Sequence, residues 1–165
     1  MLYVRKLICI LALLVMLPAL QACSDTTHPV MKSPDAVRKY LKFDTGVRGA
    51  TAQILTLPES GGLTPGPTDY VALVASVQLS SDDLQATLGK LFTYEGNRTI
   101  PTAFTHPAWL AVRDRAILSA VSGGATRVYD ATPLVTDKSV RALAMPVDNS
   151  LLIYVEYAAP FGNKP

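Results

Sequence analysis

Few side chains in this sequence are placed to do chemistry. It contains two histidines, His28 and His106, and imidazole catalysis requires a histidine held rigidly beside its partners. His28 lies in a polar stretch before the first predicted element, so His106 is the candidate general base. It precedes Pro107 at the expected start of a helix, where the simplest interpretation is a surface residue at a helix entrance. A Ser-His-Asp site that uses Ser60 or Ser122 stays open as an alternative, although no spacing supports it.

The larger catalytic motif classes are missing from the sequence. It has no G-x-S-x-G nucleophile elbow, no G-x-G-x-x-G loop, no G-K-[ST] phosphate loop and no H-E-x-x-H helix. The adjacent carboxylates Asp82 and Asp83 fall in the first turn of a predicted helix, where negative charge complements the helix dipole. Acid–base catalysis or a calcium site at this pair is the less favoured alternative. We therefore predict no cofactor and no metal site.

Cys23 follows a segment that is typical of export. Arg5 and Lys6 precede an apolar run over 7–20, which is shorter than the roughly 20 residues of a membrane-spanning helix. The run ends in Leu20-Gln21-Ala22-Cys23, and this stretch resembles the lipobox of bacterial lipoprotein precursors. The resemblance covers residues 1–23 only. The alternative is an ordinary signal peptide in which Cys23 has no role.

The resemblance implies a lipid anchor at Cys23. In that family the cysteine sulfur receives a diacylglyceryl group, the signal is cut at the position of Ala22 and Cys23, and the new amino group is usually acylated, with palmitate among the chains. Two or three acyl chains suffice for stable membrane attachment. Ser24 in the sorting position implies the outer membrane, with the domain facing the periplasm.

Cleavage would also change the composition. Without residues 1–22 the chain keeps thirteen basic and thirteen acidic residues, so charge gives no reason to expect binding to nucleic acid or anionic lipid. Cys9 would be lost and Cys23 modified, which leaves no thiol for a disulfide or a metal site. We interpret 23–33 as the lipidated cysteine and its tether, and 34–165 as one globular domain.

Hydrophobic periodicity predicts the elements of that domain. The first half contains a short helix after Ser33, strands over 47–57 and 69–79, and a helix capped by Ser80 and Asp83. The second strand has Ala72 and Val74 on its more polar face, which indicates a covering layer. The helix after Ser80 should bury the stripe Leu84, Leu88, Leu91 and Phe92.

The second half predicts one helix and three strands. A turn-rich stretch over 93–105 precedes a helix from Pro107 to about Val121, and strands follow over 126–129, 139–147 and 151–157, with a hairpin turn at 148–150. This order predicts an α+β fold with a largely antiparallel sheet of about five strands and two to three helices.

Two features are candidates for partner binding. The first is the connection 58–69, much longer than the two to five residues of most hairpin loops, which includes Gly61, Gly62, Pro65 and Pro67. It is either a recognition loop displayed by the sheet or a mobile loop without a function.

The second feature is Arg113, which falls inside an apolar face of the helix over 107–121. A buried unpaired charge is costly, so Arg113 must reach solvent, meet a carboxylate or face a partner. Trp and Arg are enriched in binding hot spots. Alternatively the helix ends early and a strand follows. The predicted face comprises Trp109, Val112, Ala116, Ile117 and Ala120.

These observations favour a membrane-anchored, non-enzymatic protein in the cell envelope that binds another protein, as an assembly factor or an immunity-type inhibitor. The anchor, the missing catalytic motifs, the neutral charge and the long loop support this hypothesis. The competing hypothesis is a small cell-envelope hydrolase that uses Ser or Asp with His106.

Overall fold

The computed structural model describes residues 28–43, 46–57 and 70–157, and these form one antiparallel sheet with helices. The strands pair in the order β1-β2-β5-β4-β3. The predicted α+β fold with a five-stranded antiparallel sheet is confirmed. The strands are β1 (Gly49–Leu57), β2 (Tyr70–Gln78), β3 (Tyr129–Asp130), β4 (Arg141–Val147) and β5 (Ser150–Tyr157), and the α-helices are α1 (Pro34–Val37), α2 (Ser81–Leu88) and α3 (Val112–Val121).

Two hairpins set the register of the sheet. In the first, β1 pairs with β2 up to Leu57 and Tyr70, so the connection 58–69, which lies outside the described residues, begins directly at the end of the ladder. In the second, Val147 pairs with Ser150, so the turn comprises 148–149 and not the predicted 148–150. Asp148 in this turn has a φ of 50°, a left-handed conformation that aspartate tolerates better than most residues.

Both faces of the sheet are buried. The first face carries residues such as Leu73 and Ile153 and is covered by α1, α2 and the segment 131–135. The second carries Val74 and Tyr154 and is covered by the segment 100–110 together with α3. The covering layer indicated by the apolar residues on the second face of β2 is therefore present.

The helix α2 confirms the predicted cap and corrects the predicted stripe. The Ser80 hydroxyl accepts a hydrogen bond from the Asp83 N–H (3.1 Å), as its capping role requires. Leu84 and Leu91 are buried, but Phe92 is 81% exposed. The helix ends at Leu88, so helical periodicity no longer determines where Phe92 points.

The helix α3 begins later than predicted. Ala111 is extended (φ −59°, ψ 151°), and the preceding residues form a turn in which the Leu110 N–H donates to the Pro107 carbonyl. Trp109 therefore lies outside the helix. The predicted apolar face is wrong, because Val112 is 76% exposed and the buried residues of α3 are Leu118 and Val121. The early end of this helix is also ruled out, since α3 continues to Val121.

Candidate functional site

Trp109 is half-buried and bonded to the first strand. Its indole Nε1–H donates to Oε1 of Gln53 (2.9 Å), and Gln53 is only 9% exposed. The Nε2 group of the same side chain donates to the carbonyl of His28 (3.0 Å). One buried amide thus joins the turn before α3 to the start of the described chain, and the polar atom of Trp109 is satisfied within the protein.

Residues near the start of the described chain also contact β1. Met31 exchanges two backbone hydrogen bonds with Ala52, from Met31 N to Ala52 O (2.8 Å) and from Ala52 N to Met31 O (2.9 Å). The Met31 side chain is partly buried against the core of the first face. Part of the segment 23–33, interpreted from sequence as a tether, therefore lies against the sheet.

The charge of Arg113 is paired with a carboxylate. It forms an ion pair with Asp148 in the β4–β5 turn, and both side chains are mostly exposed. The pKa of Asp114 is raised, chiefly because burial disfavours its charged form; Arg113 opposes this shift and Asp148 adds to it. Trp109 is thus bonded to β1, whereas Arg113 is paired with the β4–β5 turn. Together they do not form one helical face.

Sequence reasoning missed Arg141, a charged group with several partners among the described residues. Its Nε donates to Oε2 of Glu156 (2.8 Å), with both side chains about 15% exposed or less. Its Nη1 donates to the Asn97 carbonyl (2.6 Å) and its Nη2 to the Thr99 carbonyl. The guanidinium also lies 5.6 Å from the ring centroid of Tyr154. Arg141 therefore fastens the 97–99 segment to the sheet.

A sequence signal for this pair did exist. Arg141 and Glu156 are equally distant from the turn at 148–149, so a two-residue hairpin places them opposite each other. The pKa of Tyr154 is raised, first by burial and then by the neighbouring Glu156 carboxylate, while Arg141 opposes the shift. The Tyr154 hydroxyl donates to Oε2 of Glu156 (3.4 Å), so it belongs to the same hydrogen-bonded cluster as Arg141.

His106 is bonded within its own turn. The ring Nδ1 lies 2.6 Å from the Thr105 hydroxyl and 3.3 Å from the Thr102 carbonyl. Ser122, one of the serines considered for a triad, accepts a bond from the Ile100 N–H (3.3 Å). His106 does not stand at a helix entrance, since α3 begins at Val112. Its partners are the threonine groups of a 3₁₀ turn.

Several predicted site residues lie outside the described residues: Ala22, Cys23, Gly61, Gly62, Pro65 and Pro67. Within 28–43, 46–57 and 70–157, no three His, Cys, Asp or Glu side chains come together as a metal ion would require. In the same ranges no helix has the length and apolar character needed to cross a bilayer.

No protein-family model matches this chain, and neither the search of curated proteins nor that of solved structures finds a significant match.

Proposed function

We propose that this protein is a bacterial lipoprotein, anchored through Cys23 to the periplasmic side of the outer membrane, and that its domain binds another envelope protein as an assembly or immunity-type factor. The observation that carries the proposal is the stretch Leu20-Gln21-Ala22-Cys23 directly after a basic start and a short apolar run. Ser24 supports the outer-membrane assignment.

The geometry of the domain supports a binding role. His106 Nδ1 contacts Thr105 and Thr102 of its own turn, and Ser122 accepts a hydrogen bond from the distant Ile100 N–H, so the two residues are held in different surroundings. The long connection 58–69 begins where the β1–β2 ladder stops at Leu57 and Tyr70, so a rigid sheet holds both of its ends. Loops held in this way commonly carry recognition.

The anchor predicts a specific labelling result. Cells that express the wild-type protein and are fed a radiolabelled fatty acid should label the mature protein, whereas Cys23→Ser should stay unlabelled and uncleaved, because the acceptor sulfur is missing. Ser24→Ala is a suitable control and should label as the wild type does. Equal labelling of the wild type and Cys23→Ser would contradict the anchor.

Shortening the connection 58–69 should abolish partner binding while leaving the stability of the domain nearly unchanged. Replacing 60–67 with a two-residue turn should alter the free energy of unfolding by only about 0.6 kcal/mol per halving of loop length, since closure entropy changes slowly with length. Partner capture in envelope pull-downs under mild detergent should be lost. If the folded, shortened protein recovers the same partners at the same yield, the loop is not the binding element.

A further inference from the structure

The first described residues, which connect to Cys23, lie at one edge of the sheet. His28 and Met31 are bonded to Gln53 and Ala52 of β1, an outermost strand. Cys23 precedes His28 by five residues, and a fully extended chain covers at most about 3.6 Å per residue, so the two lie within about 18 Å of each other. A lipidated Cys23 therefore holds the β1 edge close to the bilayer.

The turn that contains Trp109 lies at this same edge. Gln53 bonds both the Trp109 indole and the His28 carbonyl, so Trp109 is adjacent to the point where the chain departs for the anchor. The neighbouring Ala108 and Ala111 are exposed, and Val112 is 76% exposed. Ala108, Ala111 and Val112 of the segment 108–112 thus present apolar surface beside the half-buried Trp109, whereas Leu110 is buried in the core.

We propose that the segment 108–112 contacts the lipid headgroup region beside the anchor. This inference rests on the proposed lipidation of Cys23. The exposed part of the Trp109 ring can contact lipid without leaving its N–H unpaired, because Gln53 already accepts that bond, and aromatic rings are favoured at the bilayer interface. The other two strongly exposed large apolar residues of the described ranges, Phe92 and Val140, adjoin β3 and β4 at the opposite edge. Of the exposed apolar sites, segment 108–112 is therefore the one near the proposed anchor and the one expected to contact lipid.

The chain provides its own reporter, because Trp109 is its only tryptophan. The lipidated mature protein is inserted into vesicles of phosphatidylethanolamine and phosphatidylglycerol, whose acyl chains are either unbrominated or brominated close to the headgroup. Bromine quenches tryptophan at short range, so the emission of Trp109 should fall in brominated vesicles relative to unbrominated ones. Two matched variants locate the contact. Val112→Glu should reduce this loss of emission, whereas Val140→Glu, which places the same charge at the opposite edge, should leave it unchanged.

The outcomes separate this inference from the proposed function. Protein that floats with the vesicles, carries the acyl mass and shows equal emission in both lipids would overturn the contact and leave the lipid anchor standing. Equal reductions by Val112→Glu and Val140→Glu would also overturn it, as would quenching that appears only after an envelope protein is added. Protein without acyl chains would overturn the lipoprotein assignment, and the contact with it. Val112→Glu should fold normally, because Val112 is exposed and a glutamate in the first turn of α3 complements the helix dipole.

Discussion

Replacing Phe104 with alanine should lower the free energy of unfolding by about 3–5 kcal/mol, the usual cost of removing a fully buried phenylalanine. Phe104 is 0% exposed and lies beside Tyr154, with 6.2 Å between the ring centroids. It belongs to a segment with little regular structure that nevertheless covers the second face of the sheet. Urea unfolding of the purified protein, followed by circular dichroism, measures the effect.

Phe92 is the matched control for this substitution. It is 81% exposed, so Phe92→Ala should change the free energy of unfolding by no more than about 0.5 kcal/mol. The periodicity of the sequence predicts the opposite ranking, since it places Phe92 in a buried stripe and Phe104 in a turn-rich stretch. Similar losses for the two variants would contradict the layer that we describe on the second face.

Replacing Arg141 with methionine should cost about 3 kcal/mol, the lower end of the usual loss when one partner of a buried ion pair is removed. Methionine keeps much of the apolar stem but leaves the Glu156 carboxylate, 15% exposed, without its cation. The Asn97 and Thr99 carbonyls also lose their donors. Denaturant unfolding gives the loss, and hydrogen exchange at 97–99 should increase, because Arg141 fastens that segment to the sheet.

An exposed arginine pair provides the comparison. Arg38 and Asp35 form a 3.0 Å ion pair with side chains 52% and 89% exposed, so Arg38→Met should cost less than about 1 kcal/mol. The double variant Arg141→Met with Glu156→Gln should recover part of the loss, since no charge is then left without a partner. Equal costs for Arg141→Met and Arg38→Met would show that partial burial does not strengthen the Arg141 pair.

The sequence by itself determined the order of the regular elements and most of their bounds. Alternation over 69–79 specifies a strand, because side chains in a strand alternate between faces with a period of two, and the turn residues at 148–150 specify a hairpin. Ser80 and Asp83 specify the start of α2 through a local hydrogen bond. The predicted signal segment and the predicted acceptor Cys23 are also local patterns, and they alone carry the expected anchor.

Only the tertiary structure decided which residues outside the regular elements are buried and how the long polar side chains are paired. Phe104 is buried because Tyr154, 50 residues later, lies beneath it, and Trp109 is bonded because Gln53 of β1 is within reach. Periodicity cannot encode such contacts, since a turn has no fixed spacing between side chains that share a direction. The burial of a turn residue depends instead on what a distant strand presents to it.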